Sequence, residues 1–109
     1  MKMISILIAA GGLLAASLAQ AAPDADAAQA TLKKSECLKC HAVDKKKDGP
    51  SFKETAKKYK GKADAEATLV KHVTSKPMIE IDGKKEEHKA LKTTDKAEIS
   101  NAVQWILAQ

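Results

Sequence analysis

Cys37-Leu38-Lys39-Cys40-His41 is a C-x-x-C-H run, the spacing at which a chain attaches a c-type haem. Two thiols one helical turn apart can each form a thioether to a vinyl group on the same edge of one ring. The adjacent imidazole can then reach the iron from below. Cys37 and Cys40 are therefore the candidate thioether positions and His41 the candidate proximal iron ligand. Other uses of the spacing need other surroundings. A thiol-disulfide redox pair expects a strand, helix, strand context, which the flanking sequence lacks. Structural zinc wants four ligands, and no second Cys pair or paired His motif accompanies this one. A single stapling disulfide stays open for an exported chain.

Working outward from the motif, the chain reads as all-α with one long loop. A small polar lead at 22–29 passes into a helix from about Asp26 to Lys34. Three lysines, Lys45 to Lys47, followed by Asp48-Gly49-Pro50, mark a loop over Asp44 to Pro50. Pro50 suits the start of a short helix that carries Phe52, Ala56 and Tyr59 at helical spacing and stops near Gly61. Asp64 is the N-cap of the next helix, with Leu69, Val70 and Val73 on one side and Pro77 as its end. Residues 77 to 93 read as irregular, with a turn at Asp82-Gly83. Asp95 and Glu98 resemble a capping box ahead of an apolar stripe of Ile99, Ala102, Val103, Ile106 and Leu107.

Composition explains why such a chain needs a cofactor. It has 109 residues but only three aromatics, Phe52, Tyr59 and Trp105, and two cysteines. A domain this small buries little surface, and natural domains near this size add disulfides, metals or partners. A porphyrin is a large flat apolar body that replaces the missing side chains. Folding and attachment are then coupled.

The 19 basic residues are all Lys, against 14 acidic ones. With no Arg and with lysines in every segment, the charge reads as a solvated docking rim and not as a nucleic-acid interface. At the start, Lys2, an apolar run from Ile4 to Leu14 and the tripeptide Ala19-Gln20-Ala21 read as a signal peptide over residues 1–21. Cleavage after Ala21 leaves the domain 22–109, 88 residues with 18 Lys and 14 acids. The apolar run is shorter than the about 20 residues that span a bilayer. The expectation is a soluble, periplasmic, monomeric protein with no membrane insertion after signal cleavage.

On these residues the chain resembles the class I monohaem c-type cytochromes, particularly their short bacterial members, over essentially the whole mature length. Besides Cys37, Cys40 and His41, the likeness includes Gly49-Pro50, where the family's proline carbonyl accepts a hydrogen bond from the proximal histidine. It also includes the closing helix with its tryptophan, Val103-Gln104-Trp105-Ile106-Leu107. Leu32 stands where many members carry an aromatic, and Glu36 where many carry glycine. The resemblance implies a small cytochrome c fold, three to five helices around one covalently bound haem c with its iron, and makes Pro50 and Trp105 cofactor-binding residues.

The distal iron ligand must come from the loop between Pro77 and Thr94, where Met78 and His88 can bind iron. The family usually uses a methionine shortly before the last helix. Met78 lies 27 residues ahead of Trp105 and His88 only 17, closer to where the short bacterial members place their ligand. His88 is favoured and Met78 is the alternative. By default Met78, beside Ile79 and Ile81, is core filling, and His72 is a surface or haem-edge residue.

Two axial ligands leave no open site for substrate. That favours an electron carrier over an enzyme, with Lys39, Lys45, Lys46, Lys47 and Lys53 steering it to redox partner proteins with acidic docking surfaces. A small-ligand (CO/NO) binder or sensor, and the haem subunit of a larger oxidoreductase, are the alternatives.

Overall fold

Asp24 begins the first helix: its carboxylate accepts from the Ala27 amide at 3.0 Å. This is an N-cap two residues ahead of the expected start. In the computed structural model, which describes residues 11–12 and 22–109, α1 runs Ala25–Lys34, α2 Phe52–Tyr59, α3 Ala65–Thr74 and α4 Lys96–Leu107. A hairpin of β1 (Met78–Ile81) and β2 (Lys84–Glu87) lies between α3 and α4. Four helices fall within the expected three to five. The signal-peptide reading of residues 1–21 lies, apart from 11 and 12, outside the described residues. Among the described residues no helix is long and apolar enough to cross a membrane.

The core sits where α1 meets α4. Ala28, Leu32, Ala102 and Val103 are at most 1% exposed, and the two alanines let the helix backbones approach closely. Burying Leu32 or Val103 contributes roughly 1.5–3 kcal/mol each. Polar ties fix the crossing. Asp24 and Asn101 exchange hydrogen bonds of 2.8 and 3.0 Å. Glu98 accepts from Thr31 at 3.0 Å, Lys34 at 2.6 Å and Thr93 at 2.9 Å. Asp95 does cap α4, accepting from the amides of Ala97 and Glu98, but the Glu98 carboxylate joins α1 to α4 instead of completing a capping box. At α2 the cap is Ser51, which accepts from the Glu54 amide at 3.1 Å. Asp64 stands at the N-cap of α3 with no side-chain hydrogen bond there.

The stretch expected to be irregular is half hairpin. β1 and β2 pair antiparallel with Met78 opposite Glu87 and Ile79 opposite Glu86. The turn expected at Asp82-Gly83 joins them, with φ of 51° and 78°, the two positive values of a type I′ turn. The ladder closes at its base where the His88 amide donates to the Pro77 carbonyl at 2.8 Å. Beyond it, the Leu91 amide donates to Val73 O and the Lys92 amide to the buried Ser35 hydroxyl, both at 2.9 Å.

Candidate haem site

The 3-10 turn Cys37–Lys39 follows α1 directly, after Glu36 takes a left-handed φ of 62°. That conformation suits glycine and costs another residue roughly 1–2 kcal/mol. The Glu36 carboxylate pairs with Lys89 and with Lys39, and these ammonium groups, Lys89 first, hold its pKa down to about 2. Cys37 and Cys40 carry separate thiols, and burial pushes the Cys37 thiol up.

His41 is held from three directions. Its Nδ1 lies 2.7 Å from the Pro50 carbonyl oxygen. A carbonyl can only accept, so Nδ1 carries the proton and Nε2 keeps the lone pair that binds metal. Phe52 stacks on the ring, centroids 5.6 Å apart and planes 19° from parallel. Gly49 completes the fit, because a Cβ there would lie 2.3 Å from His41 Cε1. The Gly49 amide also donates to the Cys40 carbonyl at 2.8 Å.

Opposite lies a largely apolar cleft of about 570 Å³, within the usual range for cofactor sites. Leu32, Phe52, Leu69, Ile79 and Ile106 form its walls, with Cys37, Cys40 and His41 at one side and His72 and His88 at the other. Strand parity decides what the hairpin offers. Side chains directly opposite share a face, and Met78, opposite Glu87, points outward: it is 63% exposed and does not line the cleft. Ile79 and Ile81 point inward, and so does His88, next to Glu87 on the opposite parity. Met78 and His88 therefore cannot both serve one register.

The His88 ring centroid is 6.3 Å from that of His41. Two imidazoles bound along one axis to a shared metal, with bonds of about 2 Å each, have centres roughly 6 Å apart. Burial is the first cause lowering the His88 pKa, with the neighbouring imidazoles adding to it. Burial likewise lowers that of His72. A lowered pKa favours the neutral imidazole, the form that binds metal. Among the described residues, His88 Nδ1 is buried without a hydrogen-bond partner. His72, read from sequence as a surface or haem-edge residue, has its ring 4.4 Å from His88.

Trp105 does not line the cleft. It is 9% exposed and meets Phe52 edge-on at 5.8 Å, so it supports the ring that supports His41. The roles of Gly49, Phe52 and His72 were not legible as contacts in the sequence, although Gly49-Pro50 and Phe52 were visible as a loop and a helix face.

A family model described as Cytochrome c matches residues 25–109. The crystal structure of the class 1 cytochrome MtoD from Sideroxydans lithotrophicus ES-1 superposes with a TM-score of 0.77 at 50% identity, covering 80% of this chain and 97% of that one. Cytochrome c2 of Rubrivivax gelatinosus is 39% identical over 79 residues, 68% of this chain and 87% of that protein. Cytochrome c-551 of Pseudomonas aeruginosa is 37% identical over 67 residues, 62% of this chain. The match spans about 60% of the c-551 length.

The chain belongs to the class I monohaem c-type cytochromes.

Members of this family carry one covalently attached haem c with its iron. The cleft of this cytochrome fits that group on its own chemistry. Its walls are apolar, its two thiols lie at the edge, and two imidazoles face each other. Among the described residues no cluster of three or more His, Cys, Asp or Glu could hold a metal ion.

Proposed function

We propose that this cytochrome is a periplasmic one-electron carrier whose haem, bonded through Cys37 and Cys40, is ligated by His41 and His88. The facing imidazoles of His41 and His88 across the apolar cleft carry the reading. When bound, the haem supplies an iron that cycles between Fe(III) and Fe(II). Pro50 holds His41 in the ligating tautomer, Phe52 and Gly49 fix its ring, and the hairpin delivers His88 while turning Met78 to solvent. Were His41 and His88 both to hold the iron, no position would be left there for a substrate, which suits a carrier and not an enzyme. Two imidazoles favour Fe(III) more than an imidazole and a thioether do, so the potential lies below that of a His/Met cytochrome.

The remaining parts of the proposal are an export signal cut after Ala21, a monomeric mature chain, and docking to acidic partner surfaces. Lys39, Lys45, Lys46, Lys47 and Lys53 are all exposed. Lys47 donates to the Leu38 carbonyl at 2.8 Å and Lys39 pairs with Glu36, so Lys45, Lys46 and Lys53 are the better steering charges. Their effect lies in the association rate and falls with salt.

The test is the ferric absorption spectrum of the haem-loaded protein. A low-spin spectrum with no sulfur-to-iron charge-transfer band, unchanged in Met78→Leu and converted to high spin in His88→Ala, is expected. A sulfur band that disappears in Met78→Leu overturns His88 as the ligand.

A further inference from the structure

His88 has one unanswered polar group. A metal-bound histidine almost always donates its other ring N–H to an acceptor, which fixes the ring and raises its basicity. His41 meets this rule through the Pro50 carbonyl at 2.7 Å. His88 Nδ1 is buried with no partner, a state that costs roughly 1–3 kcal/mol if it persists. Two other imidazole rings lie against His88: His41 at 6.3 Å, committed to Pro50, and His72 at 4.4 Å. His72 is carried on α3, whose last turn is tied to the segment after the hairpin by the Leu91 to Val73 hydrogen bond. It is thus fixed beside His88 by backbone that does not belong to the hairpin. The planes of the two rings are tilted by 53°, and His72 is the uncommitted imidazole beside the orphan.

Resting on the reading of His88 as distal ligand, we infer that His72 is a positioning residue whose ring nitrogen accepts a hydrogen bond from His88 Nδ1–H when His88 Nε2 binds iron. The chain then has a matched pair of supports, a backbone carbonyl behind His41 and an imidazole behind His88. The second support strengthens His88 as a donor, favours Fe(III) and lowers the potential. The competing acceptor is the backbone carbonyl of Lys89, the next residue in the chain.

The experiment compares the haem-loaded full protein with its His72→Phe, His72→Gln and His88→Ala variants by ferric spectrum, reduction potential and proton exchange at His88 Nδ1–H followed by NMR of the ferrous form. His72→Phe is expected to stay low-spin, to exchange that proton at least tenfold faster, and to shift the one-electron potential upward by about 59 mV, the equivalent of a tenfold change. His72→Gln, which keeps an acceptor, is expected to restore most of both. Should Phe be too large for the site, His72→Ala gives the same comparison with Gln. Unchanged exchange and potential in both His72→Phe and His72→Ala overturn the inference and assign Nδ1 to the Lys89 carbonyl. If His72→Phe turns high-spin while His88→Ala stays low-spin, His72 is itself the ligand and both readings fall. If His88→Ala alone turns high-spin, the ligand assignment stands whatever His72 does.

Discussion

The two walls of the cleft are built in opposite ways. Behind His41 the chain is held by tertiary structure: the Pro50 carbonyl, the Phe52 ring backed by Trp105, and a Gly49 that leaves no room for a side chain. On the other wall His88 stands at the base of a hairpin whose β2 residues, Lys84 to Glu87, are all exposed. That hairpin is shaped by its own turn and register and buries little apolar surface. A wall so constrained transmits any change to the whole core, whereas the hairpin wall can open locally while the helices stay folded.

Gly49→Ala breaks the first wall and has the largest expected effect. The new Cβ would lie 2.3 Å from His41 Cε1 and 2.8 Å from its Nδ1, so the ring must leave its bond to Pro50. We expect a loss of about 1–3 kcal/mol, the usual cost of overpacking, seen as a lower Tm of the whole protein and a perturbed ferric spectrum. A variant with native Tm and spectrum shows that the glycine is not needed for the approach.

Gly83→Ala breaks the second. Gly83 has φ of 78° and no neighbour within 4 Å of an added Cβ, so the effect is purely conformational, roughly 1–2 kcal/mol. It should appear in the hairpin alone. Amides of 78–88 exchange faster and CO binds the ferrous protein more readily, while the helices melt together near the native Tm. A uniform fall in protection across α1 and α4 is the outcome that removes the distinction between the walls.

How much of this was legible follows the same division. The helices were readable because their apolar spacing and terminal signals agree, as with Asp95 and the stripe from Ile99 to Leu107. The C-x-x-C-H run is local, so recognising it needs no tertiary information. The hairpin was not readable, since Lys84-Lys85-Glu86-Glu87 has neither alternation nor β-branched residues, although Asp-Gly at 82–83 is a hairpin signal on its own. His72 is exposed and lines the cleft, as a surface or haem-edge residue would, but its closeness to His88 depends on how α3 lies against the hairpin, which no spacing within α3 reveals. Glu98 has capping-box spacing, but three donors from α1 and the preceding loop outcompete the Asp95 amide.

Glu36 joins the two walls and gives a smaller effect. It stands in a left-handed conformation between α1 and Cys37, and its carboxylate reaches Lys89 beside His88. Glu36→Gly and Glu36→Ala both delete the ion pairs, but only glycine removes the backbone strain. The Gly variant should therefore be more stable than the Ala variant by up to about 1 kcal/mol in urea unfolding, after allowance for glycine's greater freedom when unfolded. Equal stabilities mean that the left-handed turn is not strained.

The smallest effect is acid sensitivity at the helix crossing, remote from both walls. Lys34, then Thr93 and Thr31, hold the Glu98 pKa down to about 2 from an ordinary 4.5. A carboxyl whose pKa is lower folded than unfolded contributes stability that is complete above the unfolded value and is lost as pH falls through the folded one. The window is thus from about pH 4.5 down to about 2. The side chain is 31% exposed, so solvent and salt screen the pair with Lys34 and keep the contribution modest. Glu98→Gln should lower the Tm at pH 7 and give a shallower fall across that window, because Gln does not titrate. Glu36→Gln, with a carboxylate equally depressed at the haem edge, should instead change hairpin exchange more than the global Tm. Parallel Tm curves for wild type and Glu98→Gln across the window rule out a Glu98 share in acid unfolding and leave the α1–α4 crossing to its apolar contacts alone.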